Sequence, residues 1–205
     1  MVFLKISTPP PVTVLLMIVN GIIFAYGILS NSQDQIISHY GFVPDYLFIY
    51  NHPLSDSITR LFSSMFIHAN IAHIAFNLFA LVYLGGFAER SIGRSRYLLI
   101  YLASGIAGGL LHGVMASFIL GNGSSVLIGA SGAISGVMGI TAALGDIRGY
   151  YWLAIQIMYA FIGSFVSLSI AFLAHVGGFV AALLLTRLLI EIERKKRKGY
   201  WNYSQ

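Results

Sequence analysis

Two long stretches of this chain carry no charge at all, and they restrict the fold more than any other feature. Residues 97–145 contain no Lys, Arg, Asp or Glu, and neither do residues 149–186. Each run exceeds the roughly 20 apolar residues that take a helix across a bilayer. Only 9% of the 205 residues are charged, whereas a soluble domain of this size carries about 25%. The expected class is an all-α, multi-pass membrane protein.

The apolar segments fit six spans, at about 11–30, 68–88, 95–118, 131–146, 150–165 and 169–190. The last three are crowded, so the fourth and fifth spans are expected to be short or tightly connected. The stretch from Val12 to Ser30 is longer than a signal-peptide core and follows a single Lys5, which reads as a retained span. Six spans place both termini on one side. If that side is cytoplasmic, Lys5, Arg90, Arg94, Arg96, Arg148, Arg187 and the five basic residues 194–198 all lie inside, leaving Arg60 outside. This asymmetry is the one that sets orientation in membrane proteins. The net charge of +5 therefore reflects a topology anchor near lipid headgroups and does not point to nucleic acid. Zero cysteines remove disulfides, thiolate catalysis and Cys-based metal sites.

The whole chain, 1–205, reads as one membrane domain with a long external loop, 31–66, and a basic cytoplasmic tail, 191–205. The loop is too apolar and aromatic for a disordered linker, so short helices at the outer interface are expected. Small residues recur every fourth position: Gly105, Gly109 and Gly113; Gly132 and Gly136; Ala174, Gly178 and Ala182. That spacing lets helix backbones approach closely in lipid.

Polar groups inside apolar spans are functional candidates, because burying them in hydrocarbon is unfavourable. Ser131 opens the fourth span between Gly129 and Gly132, where glycines permit a sharp helix entry and close approach of another backbone. Free N–H groups at a helix start suit a developing oxyanion. His175, early in the sixth span, is a base able to take a proton from that hydroxyl. No Asp or Glu lies in spans three, five or six, so the sequence supports a Ser–His dyad with no acidic third member. His73 and Asn77 share one face of the second span and can both donate hydrogen bonds to an oxyanion. His68 is placed along a water route to the site, and His112 beside the substrate pocket. The histidine spacing does not suit a metal, and no cofactor is expected.

In order along the chain, Arg60, His68-x4-His73-x3-Asn77, Gly85-Gly86-Phe87-Ala88-Glu89-Arg90-x2-Gly93, Gly129-Ala130-Ser131-Gly132 and Ala174-His175-x2-Gly178 resemble the rhomboid family of intramembrane serine proteases. The resemblance covers nearly all of 60–182. It implies a rhomboid-like bundle of six transmembrane helices with a cavity open to the external side. It also implies hydrolysis through an acyl-enzyme on Ser131, with an oxyanion held by the Ser131 N–H, His73 and Asn77. Substrates would be transmembrane segments of other proteins in the cell membrane, unwinding near their outer ends. Three departures stand out. Thr59 precedes Arg60 where the family often has Trp, and Ser135 stands where many members pack an aromatic residue on the histidine. The connection around Ser164 to Ser169, commonly a flap, is short. Ser135 is expected to hydrogen-bond His175 instead. A catalytically inert relative that binds membrane clients is the alternative; such relatives usually lack the serine or the histidine. The sequence does not fix the oligomeric state.

Overall fold

The computed structural model describes residues 10–166 and 172–202. Helices α1 (Pro11–Leu29), α5 (Ile71–Ala80), α6 (Gly86–Ile92), α7 (Arg94–Met115), α8 (Ser131–Ala143), α9 (Ile147–Val166) and α10 (Phe172–Asn202) occupy the six apolar segments. The segment 31–66, an external layer on the expected topology, folds mainly as three short helices, α2 (Gln33–Tyr40), α3 (Pro44–Phe48) and α4 (Leu54–Ser63). No strand occurs among the described residues; one isolated antiparallel bridge pairs Phe42 with Leu127. The chain is an all-helical, multi-pass membrane protein. Four stretches, Pro11–Leu29, Ile71–Ile92, Arg94–Leu120 and Phe172–Lys196, are long and apolar enough to cross a membrane.

Local sequence accounts for the helix ends. Proline occupies the first turn of α1 and α3, where its missing N–H costs nothing. Asn70 caps α5, its side chain accepting from the His73 backbone N–H at 2.9 Å. A π-helical turn, Leu81–Gly85, joins α5 to α6 without breaking the rod. Gly93, at φ +86°, breaks the rod before α7. Gly145, at φ +89°, turns the chain between α8 and α9, which settles how those two crowded helices connect. Asp146 then caps the turn: hydrogen bonds from the Arg148 side chain and backbone hold its carboxyl below the ordinary carboxylate range.

Helix α8 is the centre of the bundle. From Gly132 to Ala142 every residue is buried, packed by Leu81, Tyr97, Tyr101 and Phe179 from its neighbours. At 13 residues it is about 20 Å long, shorter than the roughly 30 Å hydrocarbon core. The outside of the bundle is apolar: Ile22, Phe76, Phe79, Leu99 and Leu184 are all exposed. Such a belt suits a lipid solvent, to which hydrophobic side chains present no unfavourable surface.

The small-residue pattern is right for α8 against α10 but misplaced for α7. A Cβ on Gly132 would lie 3.4 Å from the Ala174 carbonyl; one on Gly136 would run first into the Ser104 side chain of α7 and lie 3.4 Å from the Gly178 carbonyl. By contrast, Gly105, Gly109 and Gly113 mainly receive Met65, Leu61 and Phe48 of the external layer, although Gly105 also abuts Ala133 of α8. The contact of α7 with α10 runs through Gly108, set against the Ala174 carbonyl. Spacing identified the notches; it did not identify what fills them.

Helix α10 continues past the apolar stretch into the basic tail, as far as Asn202. Glu193 pairs with Arg96 at 2.5 Å, tying the extension to the start of α7. The flap-like connection expected at 164–169 lies largely outside the described residues.

Candidate active site

The start of α8 is shaped by its glycines. Gly129 has φ +121°, which L side chains rarely adopt, and a Cβ there would sit 2.7 Å from His73 Nε2. Its N–H donates to the Ser64 carbonyl at 2.9 Å, so the external layer fixes the approach to the helix. Phe42 and Leu127 exchange two backbone hydrogen bonds, 3.0 and 2.7 Å, just upstream. Ser131 follows as the first residue of α8, where the backbone N–H has no intrahelical acceptor.

His175 stands in the first turn of α10. Its Nε2 is 2.7 Å from Ser131 Oγ, hydrogen-bond distance for proton transfer. The close approach of the two helices one turn further on makes this possible. A side chain on Gly178 would run into the Gly132 carbonyl and lie 3.2 Å from the Ser104 carbonyl of α7. Glycine at 178 therefore lets α8 and α10 meet at backbone distance.

A cavity of about 560 Å³ opens over this pair, lined by His73, Asn77, Ser131, Trp152 and His175 among others. The Ala69 backbone N–H donates to His73 Nδ1 at 3.4 Å, which favours the tautomer with its proton on Nε2. That nitrogen is the one beside Gly129. Asn77 Nδ2 donates one hydrogen to the His73 carbonyl at 2.8 Å, leaving its second for another acceptor. A hydroxyl, an imidazole and hydrogen-bond donors thus surround one water-accessible space.

Several sequence expectations are corrected here. Ser135 does not reach His175; its Oγ accepts from Trp152 Nε1 at 3.2 Å. His68 does not line a water route: it is fully buried, neither ring nitrogen has a partner among the described residues, and its ring meets His73 edge-on at 4.9 Å. It backs His73 by packing. His112 is outside the cavity lining, partly buried, with Nδ1 unpartnered. Gly129, Gly132 and Gly178 act through the backbone, as just described.

Arg60 and Glu89 hold the frame. Arg60 Nε donates to Asp56 Oδ2 at 2.6 Å, Nη1 donates to the Ser38 carbonyl at 2.8 Å, and the guanidinium lies 5.4 Å from the Tyr46 ring centroid. The aromatic partner missing at Thr59 is supplied by Tyr46. Buried Glu89 accepts from the Val12 N–H, the Thr13 N–H and the Thr13 hydroxyl at 3.1, 2.7 and 2.8 Å, clamping the first turn of α1.

Two residues that sequence reasoning passed over belong to the site. Gln156 of α9 is buried, and its Oε1 lies 2.6 Å from His175 Nδ1. The signal that marks His73 and Asn77, a polar side chain within an apolar span, applies equally to Gln156, which carries no charge to set it apart as an orienting group. Trp152 forms part of the cavity wall. Nothing in the sequence separates it from the neighbouring Tyr150 and Tyr151.

The chain is similar to known proteins over much of its length. The Rhomboid domain profile matches residues 55–192. The putative rhomboid protease YdcA of Bacillus subtilis is 28% identical over 148 residues, covering 69% of this chain and 70% of that protein. Rhomboid protease GluP of the same organism is 46% identical over 80 residues, 39% of this chain but 14% of GluP. The rhomboid-type serine protease 2 of Emericella nidulans is 35% identical over 144 residues, 65% of this chain and 27% of its own length. The chain thus spans under a third of the latter two. With the profile covering well over half of its length, this chain belongs to the rhomboid family.

Proposed function

We propose that the protein is an intramembrane serine endopeptidase that hydrolyses peptide bonds in or near transmembrane segments of other membrane proteins. The observation that carries this reading is the 2.7 Å contact between Ser131 Oγ and His175 Nε2 beneath an open cavity. Ser131 Oγ attacks the scissile carbonyl as His175 takes its proton. The tetrahedral oxyanion is held by the Ser131 N–H, His73 Nε2–H and Asn77 Nδ2–H. Each such donor typically contributes about a hundred- to a thousandfold. His175 then delivers the proton to the leaving amine, giving the acyl-enzyme. Water entering the cavity hydrolyses the ester through the same steps, with His175 again as base.

The same reading takes 1–205 as one membrane domain with six crossings, its termini in the cytoplasm and the cavity facing outward. Charge asymmetry supports it: eleven of the twelve basic residues fall in the segments this arrangement puts inside, and Arg60 falls outside. Because α8 is too short to span the hydrocarbon, its N-terminus sits below the outer surface, and Ser131 with it. Cleavage there requires a substrate segment that unwinds, and small residues favour unwinding and entry.

The test is cleavage of a fluorogenic transmembrane peptide by purified protein in lipid. Wild type should cleave it, and Ser131→Ala and His175→Ala should each lower the rate by about a thousandfold or more. Retained cleavage in Ser131→Ala would refute the mechanism. No cleavage by wild type over several peptides and lipids would favour a client-binding role.

A further inference from the structure

His175 uses both ring nitrogens: Nε2 meets Ser131 Oγ at 2.7 Å and Nδ1 meets Gln156 Oε1 at 2.6 Å. An imidazole that serves as base at Nε2 must carry its proton on Nδ1, and that proton needs an acceptor. The acidic residues of the chain, at 34, 45, 56, 89, 146, 191 and 193, all lie outside α8 and α9 and are absent from the start of α10. Among the described residues, the acceptor set against Nδ1 is the amide oxygen of Gln156. Its position is defined as well: Gln156 is buried, and one turn earlier on the same face of α9 Trp152 is hydrogen-bonded to Ser135 of α8. One face of α9 thus reaches both α8 and α10.

On the reading that Ser131 and His175 form the hydrolytic pair, we propose that Gln156 is its third member, a neutral positioning residue that receives the Nδ1 proton of His175 and keeps the Nε2 lone pair on Ser131. The group carries no charge, so it fixes tautomer and ring orientation while adding little to the stability of the imidazolium that forms during acylation. Among the described residues, the titratable groups facing His175 are His73 from α5 and His112 from α7. Both stay constant across variants at 156, so a change in the pH profile reports on 156 itself.

The experiment compares Gln156→Met and Gln156→Glu with wild type and Ser131→Ala in the peptide cleavage assay across pH. Methionine keeps the unbranched bulk and removes the amide acceptor. It should lower kcat by about ten- to a hundredfold with KM within about twofold, since only proton transfer is impaired. Glutamate keeps the acceptor and adds charge. It should retain cleavage while moving the acid limb of the kcat profile up by about one pH unit, because a carboxylate favours the protonated imidazole. A role confined to packing α9 would leave that limb where it is. Wild-type kcat in Gln156→Met with an unmoved limb in Gln156→Glu, while Ser131→Ala is dead, overturns this proposal and leaves the serine–histidine reading standing. Full activity in Ser131→Ala overturns both. If Gln156→Met does not fold, imidazole ¹⁵N spectra of the wild type decide, with the His175 signals identified by their loss in His175→Ala. The Nδ1–H tautomer is expected; the Nε2–H tautomer overturns the proposal.

Discussion

Gly129 shows how much of the site rests on an atom that is absent. Gly129→Ala would force an L side chain into φ +121° and press a Cβ against His73. The backbone strain alone is about 1–3 kcal/mol, and the local escape is to move the loop or the imidazole. Cleavage should fall at least about a hundredfold with helix content by circular dichroism unchanged, because misplacement of about 1 Å has that effect on an oriented site. Glu89 acts on stability instead. Glu89→Leu would leave the Thr13 N–H and hydroxyl buried without their acceptor. At about 1–3 kcal/mol for each orphaned group, the loss should be about 3 kcal/mol, read as a lower unfolding midpoint in detergent. Glu89→Gln, which keeps one acceptor oxygen, should fall between. The residues legible in the sequence, Ser131, His175, His73 and Asn77, were those whose polarity had no cheap explanation in lipid. His68 met the same criterion but turned inward, since a sequence gives the depth of a residue and not its facing. Gln156 is less legible because an orienting group is ordinarily a charge, and this one is neutral.

Helix contacts separate two kinds of glycine, and substitution should separate them too. A methyl on Gly178 meets backbone carbonyls of both α8 and α7, which cannot move without moving the helices. A methyl on Gly109 meets Leu61 Cδ1 at 2.5 Å, the far end of a side chain that can rotate. Gly178→Ala should therefore lower stability by about 1–3 kcal/mol and separate Ser131 from His175, while Gly109→Ala should leave cleavage within about threefold of wild type. Parallel thermal melts and peptide assays check the contrast, and equal effects would contradict the packing described. Most helix ends were legible to within a few residues because apolar length is a strong signal; the exception is α10, which runs on to Asn202 where the apolar stretch was expected to end at 190. Their partners were not. A four-residue repeat of small residues marks a groove on a helix, but whether a neighbouring span or a leucine from a loop fills it depends on the path of the chain between.

For the whole molecule, the charge pattern predicts sidedness directly. The native chain has no cysteine, so single cysteines can be placed without any other change. In intact cells, Ser125→Cys, on the exposed connection between α7 and α8, should react with a membrane-impermeant maleimide. Lys198→Cys should react only after permeabilisation. Labelling of both from outside would place the termini on opposite sides and break the six-crossing arrangement. Sidedness can be argued from sequence because it depends on summed charge, and the labelling decides it; the union of the loop layer with the bundle cannot, since it depends on individual side chains. Leu61, Met65 and Phe48 project into places where α7 has no side chains, and Ser64 holds the N–H of Gly129. The layer is therefore keyed into α7 as a plug is into a socket, each half meaningless in shape without the other. The consequence is one of heredity and engineering: residues 42–66 and α7 form a single exchangeable cassette. A chimera that swaps one and keeps the other should misfit at every notch, whereas transplanting both together should carry the intact frame of the site with them.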